Sequence, residues 1–197
     1  MANSSFAITV DELTLARARK GDKMAMEQLY RTFSGPVYTL ALRICGTGPD
    51  AEDVVQDCFM EVFRKLGQFR GDAPFWGWLR RVAVNKALMQ LRQNSSGTTT
   101  PLDDFRIERE LAESVTRIHD PSDLIDLEKR LGKLSDTARA VLWLHDVEGY
   151  THGEIATLMG KSESFSKSQL SRAYDKLRHW LKWQDTTTQD TRIRRSS

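Results

Sequence analysis

Residues 50–92 read DAEDVVQDCFMEVFRKLGQFRGDAPFWGWLRRVAVNKALMQLR, and they join an acid-capped apolar helix to a second helix crowded with aromatic and basic residues. Asp50-Ala51-Glu52-Asp53 places carboxylates where the free N–H groups of a first helical turn need acceptors and where the positive end of the dipole favours negative charge. Val54, Val55, Cys58, Phe59, Val62, Phe63 and Leu66 follow at steps of three and four, which predicts one buried stripe and one wet face. The loop Phe69-Arg70-Gly71-Asp72-Ala73-Pro74 offers an N-cap and a first-turn proline to the next helix. That helix carries Phe75, Trp76, Trp78, Leu79, Val82, Ala83, Ala87, Leu88 and Leu91, interleaved with Arg80, Arg81, Asn85, Lys86 and Arg92. Aromatic faces for stacking beside cations for phosphate are what holding unpaired bases requires.

Toward the N-terminus the same period continues. A helix is expected from about Asp11 to Lys20, stopping at Gly21-Asp22, and another carries Ala25, Met26, Leu29, Tyr30 and Phe33. Gly35-Pro36 is expected to interrupt or bend it before Val37, Leu40, Ala41 and Ile44, and Gly46-Thr47-Gly48-Pro49 to end it. Beyond residue 92 the composition shifts. Asn94 to Pro101 reads as linker, and the acidic segment after it has only scattered apolar residues, with room for one short helix. A second module starts at Ser122, where Leu124, Ile125, Leu127, Leu131 and Leu134 supply one helix and Val141, Leu142, Leu144 and Val147 a second that ends at Gly149.

Thr151-His152-Gly153-Glu154 is a capping box, in which the Thr hydroxyl meets the Glu N–H and the Glu carboxylate reaches back. The short helix it opens stops at Gly160, and a long helix begins near Ser164 with Leu170, Ala173, Leu177 and Leu181 on one face. Short capped helix, tight turn and longer helix are the helix-turn-helix plan. A step of about 100° per residue sets Ser168, Arg172, Asp175 and His179 opposite the apolar stripe, with Gln169, Ser171 and Lys176 on the flanks. Arg can pair bidentately with guanine and Gln with adenine, whereas Lys167 and Lys176 suit phosphate contacts. The competing reading of this face is a solvated one.

A chain of 197 residues with 40% hydrophobic content can bury one ordinary core or two small ones. No run alternates with period two over strand length, so the fold class is all-α: two small helical domains joined by a flexible linker. The net charge of +2 is too small to argue nucleic-acid binding from bulk electrostatics, so the case rests on where the basic residues sit. Cys45 and Cys58 cannot make a disulfide framework, and MANSSFAITVDEL lacks a signal peptide's basic start and apolar run. No stretch approaches the roughly 18 apolar residues of a membrane span, so membrane insertion is not expected and a cytoplasmic location is. His119, His145, His152 and His179 are scattered, and His145 and His152 straddle Gly149 without sharing a helix face. With no nucleophile elbow or phosphate loop either, neither an enzyme nor a metal site, cofactor or small-molecule substrate is expected.

Residues 50–92, followed after a linker by LHDVEGYTHGEIATLMGKSESFSKSQLSRAYDKLR at 144–178, resemble bacterial RNA polymerase sigma factors of the extracytoplasmic-function type, in the expected order. The resemblance implies sigma region 2 over 11–92, a linker over 93–121, a region 4 helix-turn-helix over 122–182, and a tail over 183–197 whose polar composition reads as disordered. It implies core RNA polymerase, promoter DNA and an anti-sigma protein as partners. Asp50, Glu52, Asp53, Gln56 and Asp57 fall in the segment that meets the polymerase, although Asp50 also fits a cap. Phe69, Arg70, Gly71, Asp72, Trp76, Arg80, Arg81, Asn85 and Lys86 fall where the minus-ten element is captured and opened; Trp78, diverging from Trp76 by about 200°, is expected in the core. Lys167, Ser168, Gln169, Ser171, Arg172 and Lys176 fall where the minus-thirty-five element is read. Ser171 departs from the bulkier or basic residue common there, as does Ser164-Phe165-Ser166 from a short apolar lead-in. Two other readings are a helix-turn-helix regulator that is not a polymerase subunit and a helical adaptor that binds only protein.

Overall fold

The computed structural model describes residues 9–95 and 131–193; the expected linker helix and most of the helix carrying Leu124 to Leu134 lie outside them. The described residues contain helices and no strand. The chain divides into two compact units, Met1–Thr100 and Pro101–Ser197.

The first unit packs α1 (Glu12–Arg19), α2 (Lys23–Cys45), α3 (Gly48–Lys65) and α4 (Phe75–Ser95). Asp11 caps α1 by accepting from the Thr14 N–H at 2.7 Å. Gly21, at φ +82°, turns the chain so that Asp22 caps α2 and pairs with Arg17 at 2.7 Å. α2 runs unbroken through Gly35-Pro36, against the expected interruption. A proline inside a helix costs about 3 kcal/mol, but fully buried Phe33 and Val37 flank it, and burying such a side chain contributes about 1.5–3 kcal/mol each. Tertiary packing outweighs the local rule.

Gly46 ends α2 at φ +86°, and Thr47 caps α3, so α3 begins two residues before the acidic run. Its inner stripe is Ala51, Val54, Val55, Cys58, Phe59, Val62 and then Leu66, facing Leu79, Ala83, Val84, Ala87, Leu88 and Leu91 of α4. Burial pushes the Cys58 thiol up to about 12, and Cys45 Sγ donates to the Ala87 carbonyl; both are small core residues.

The second unit contains α5 (Asp136–Leu142), α6 (His152–Met159) and α7 (Glu163–Ile193). After α5 the helix widens into one π turn, Trp143–Val147, with Glu148 N–H donating to the Trp143 carbonyl at 3.0 Å. Gly149, at φ +74°, then releases the chain toward α6. The Thr151–Glu154 capping box forms as read, and Gly160 closes α6 in the left-handed region at φ +64°. Ser162 caps α7, accepting from the Phe165 N–H at 3.1 Å, so the helix starts at Glu163 rather than near Ser164. It continues to Ile193, through most of the stretch expected to be disordered, because extending a formed helix adds a hydrogen bond for each residue fixed. Leu170 and Ala173 of α7 pack with Leu144 and Ile155 in the core of this unit.

Candidate functional site

Three surfaces carry the residues singled out in the sequence. On α3, Glu52, Asp53, Gln56 and Asp57 all point outward together with Met60, which is 65% exposed. Val55, Phe59 and Phe63 of α3 face Tyr30 and Tyr38 of α2 across an open groove of about 690 Å³, which Glu52, Gln56 and Met60 border. The result is an apolar trough with an acidic edge. Asp50 does not belong to this row. Its carboxylate accepts from Gln90 Nε2 at 2.8 Å, Asn94 Nδ2 at 3.0 Å and the Thr47 hydroxyl, which stitches the start of α3 to the end of α4. Those bonds, the Thr47 one foremost, hold the Asp50 carboxyl below its ordinary range.

The second surface is α4, which has four cations and no carboxylate. Arg81 and Asn85 are exposed one turn apart, and Arg70, Gly71 and Asp72 are exposed in the loop before the helix. Gly71 sits at φ +84°, a conformation other side chains rarely adopt. Three expectations change here. The Phe69 ring is buried against Phe75 and Trp78, with Arg19 donating to its carbonyl at 2.7 Å and lying over the ring, so it braces the loop from inside. Lys86 turns toward α3, 3.0 Å from Glu61 Oε2, and is engaged within the bundle. Lys65 and then Lys86 lower the Glu61 carboxyl to about 2. Trp76 and Trp78 are both half-buried, Trp76 flat against Phe33 with 5.8 Å between centroids and Trp78 tilted on Phe69 and Phe75. Neither is fully in the core, and ideal helical geometry puts Trp78 on the side of Arg81 and Asn85 and Trp76 on the side of Arg80.

The third surface is the outer face of α7. Ser168, Ser171 and Arg172 are half-buried, while Lys167 and Lys176 are exposed, with Lys167 2.9 Å from Glu163. That pair holds the Glu163 carboxyl below its ordinary range. Gln169, expected on a flank, is 8% exposed and faces the unit's interior beside Leu170. Sequence periodicity placed it at the boundary of two faces, and packing of α5 and α6 assigns it to the inner one. The structure also joins what spacing separated: the His145 and His152 rings stack, 4.4 Å between centroids. No helical repeat could reveal a contact made across the turn at Gly149.

The chain matches the family model for sigma-70 region 2 over residues 29–97 and that for sigma-70 region 4 over residues 124–177. It is 31% identical over 177 residues to the ECF RNA polymerase sigma factor SigM of Mycobacterium tuberculosis, covering 89% of this chain and 87% of that one. The chain belongs to the ECF family of RNA polymerase sigma factors. The ECF RNA polymerase sigma-E factor of Escherichia coli K12 is 32% identical over 174 residues, covering 83% of this chain and 90% of its own. Among solved structures, the sigma factor RpoE crystallised with the anti-sigma factor NepR from Bartonella quintana superposes with a TM-score of 0.50 at 25% identity, over 79% of this chain and 96% of that chain. As an ECF sigma factor, the chain acts with RNA polymerase in promoter-specific transcription initiation. Among the described residues no helix is long and apolar enough to cross a membrane.

Proposed function

We propose that the two units of this ECF sigma factor divide initiation between them. The first, over residues 11–92, docks on core RNA polymerase and opens the minus-ten element; the second, over residues 122–182, reads the minus-thirty-five element. The observation that carries this reading is the contrast between neighbouring helices: α3 turns Glu52, Asp53, Gln56 and Asp57 outward, Glu52 and Gln56 of them bordering an apolar trough, and α4 carries cations without a single carboxylate. An acidic edge on an apolar surface suits a partner with basic groups around apolar ones, since opposed charges steer the encounter and apolar burial holds it. A basic helix with half-buried aromatic rings suits a separated strand, with cations on phosphate and rings against bases.

Arg70, Gly71, Asp72, Trp76, Arg80, Arg81 and Asn85 are the residues assigned to the minus-ten strand. Phe69 and Lys86 serve them from within, the first by fixing the loop and the second by fixing α4 on α3. In the second unit Ser168, Ser171 and Arg172 face base edges, Lys167 and Lys176 the phosphates, and Gln169 only the core. The relative crystallised with an anti-sigma factor supports such a protein as a further partner; membership of a family that acts with RNA polymerase supports the cytoplasm as the place of action. Run-off transcription with purified core polymerase on genomic fragments tests the reading and returns the promoter. Asn85→Ala or Arg81→Ala should lower permanganate reactivity of promoter thymines while polymerase affinity stays unchanged; unchanged reactivity counts against the α4 assignment.

A further inference from the structure

The loop assigned to the minus-ten strand hangs between two fixed points. At its far end the Pro74 carbonyl accepts from the Gly77 N–H at 2.9 Å, which ties it to the first turn of α4. At its near end Phe69 is held through its N–H, its ring and its carbonyl. The N–H donates to the Leu66 carbonyl at 3.2 Å, and the ring centre lies 5.5 Å from that of Phe75 and 5.3 Å from that of Trp78. The hold on the carbonyl comes from α1, which lies before the region 2 match at 29–97. Arg19 Nη2 donates to the Phe69 carbonyl at 2.7 Å, while the guanidinium carbon stands 5.5 Å from the centre of the Phe69 ring. A planar cation can serve a carbonyl and an aromatic face together. Arg19 itself springs from a closed helix end, where the Gly21 N–H donates to the Ala18 carbonyl at 3.0 Å and Arg17 pairs with Asp22 at 2.7 Å.

The peptide that follows Phe69 is planar and trans, so pinning its carbonyl oxygen also fixes the Arg70 N–H, which points the opposite way, away from Arg19. Just beyond, Gly71 at φ +84° turns the chain, and Arg70, Gly71 and Asp72 are exposed. We propose that Arg19 is a positioning residue for minus-ten base capture: by pinning the first peptide of the loop it aims the Arg70 N–H, and the turn after it, at an unstacked base. This rests on the loop being part of the minus-ten site. A base drawn out of its stack has to recover the lost stacking from the pocket that receives it. A loop free to rotate at its first peptide would give back part of that gain as it became ordered, whereas a loop already pinned keeps it. The cations of α4 still hold phosphates when Arg19 is absent, so its loss falls on one base and not on the whole strand. Arg19 is exposed, and its replacement opens no cavity in the core.

The test uses holoenzyme assembled from the full chain and core polymerase, with a single-stranded non-template oligonucleotide that spans the minus-ten element of a promoter found by run-off. Each nucleotide of the element is replaced in turn by an abasic one, and the affinity is measured. With the native chain one position should stand out, losing on the order of tenfold when its base is removed. Arg19→Met keeps an apolar stem and removes every donor, so the penalty at that position should shrink to within about threefold while the penalties elsewhere stay native. Arg19→Lys keeps a charged donor for the Phe69 carbonyl and should restore most of the penalty. Urea unfolding of the full chain checks that both variants keep their fold. A native penalty at that position in Arg19→Met overturns the proposal. So does an equal loss at every position with a weaker salt dependence, which would make Arg19 a phosphate contact. A lysine variant as insensitive as the methionine one overturns it as well, since the loop would then be responding to any change at the end of α1. If native holoenzyme transcribes from the promoter yet no abasic position stands out, the assignment of the loop to a captured base fails, and the proposal with it.

Discussion

Asp50 and Glu52 lie two residues apart on α3 and do different work. Asp50 accepts three side-chain hydrogen bonds, two of them from α4, whereas Glu52 is exposed beside the apolar trough. Asp50→Ala should therefore lower stability by about 1–2 kcal/mol, since it removes a cap partner and leaves two amides to find water. Glu52→Ala should change stability by less than about 0.5 kcal/mol yet weaken binding to core polymerase. Urea unfolding and a polymerase affinity measurement separate the two, and equal stability losses would contradict the assignment. Glu61 gives a pH signature. Its folded carboxyl is lowered to about 2 from 4.5, so its contribution is complete above pH 4.5 and is lost as pH falls toward 2. Acid unfolding of Glu61→Gln should lack that component. Residue types and their approximate faces were legible in the sequence; their partners were not. Periodicity marked Lys86 as a cation on α4 but could not show that Glu61 waits opposite on α3, and it could not show which way Gln169 would turn.

At the scale of elements, signals that act locally were read most directly. The Thr151–Glu154 box lies within four residues and formed as spelled, and Gly21, Gly46, Gly149 and Gly160 all sit at positive φ where segments were expected to end. Pro36 does not interrupt α2, because a local rule meets a tertiary answer: Phe33 and Val37 hold the helix from both sides. Pro36→Ala should accordingly raise stability by about 1–2 kcal/mol, the restored hydrogen bond and relieved clash outweighing the freer unfolded chain. A lower urea midpoint would show that the proline is itself needed. Gly160→Ala should cost about 1 kcal/mol, purely from the left-handed backbone, since a Cβ there meets nothing within 4 Å. The π turn after α5 had no sequence sign at all. It depends on how Trp143 to Val147 settle on the rest of their unit, and through it His145 reaches His152.

At the scale of the whole molecule, two all-α units with different surface chemistry were apparent from the order of the segments, and the family matches over 29–97 and 124–177 follow that order. Selectivity and strand opening should be separable by mutation. Arg172→Ala should lose discrimination among minus-thirty-five sequences by about 1–3 kcal/mol while opening of a matched minus-ten element persists, and an equal loss on every sequence would make Arg172 a phosphate contact instead. The central claim is that this chain gives promoter specificity to RNA polymerase, and run-off transcription with sigma-free core enzyme on genomic fragments addresses it most directly. Discrete transcripts that require the added chain, from start sites sharing paired upstream elements, are the predicted result. A folded chain that binds core enzyme and yields no factor-dependent transcript from any fragment would contradict it.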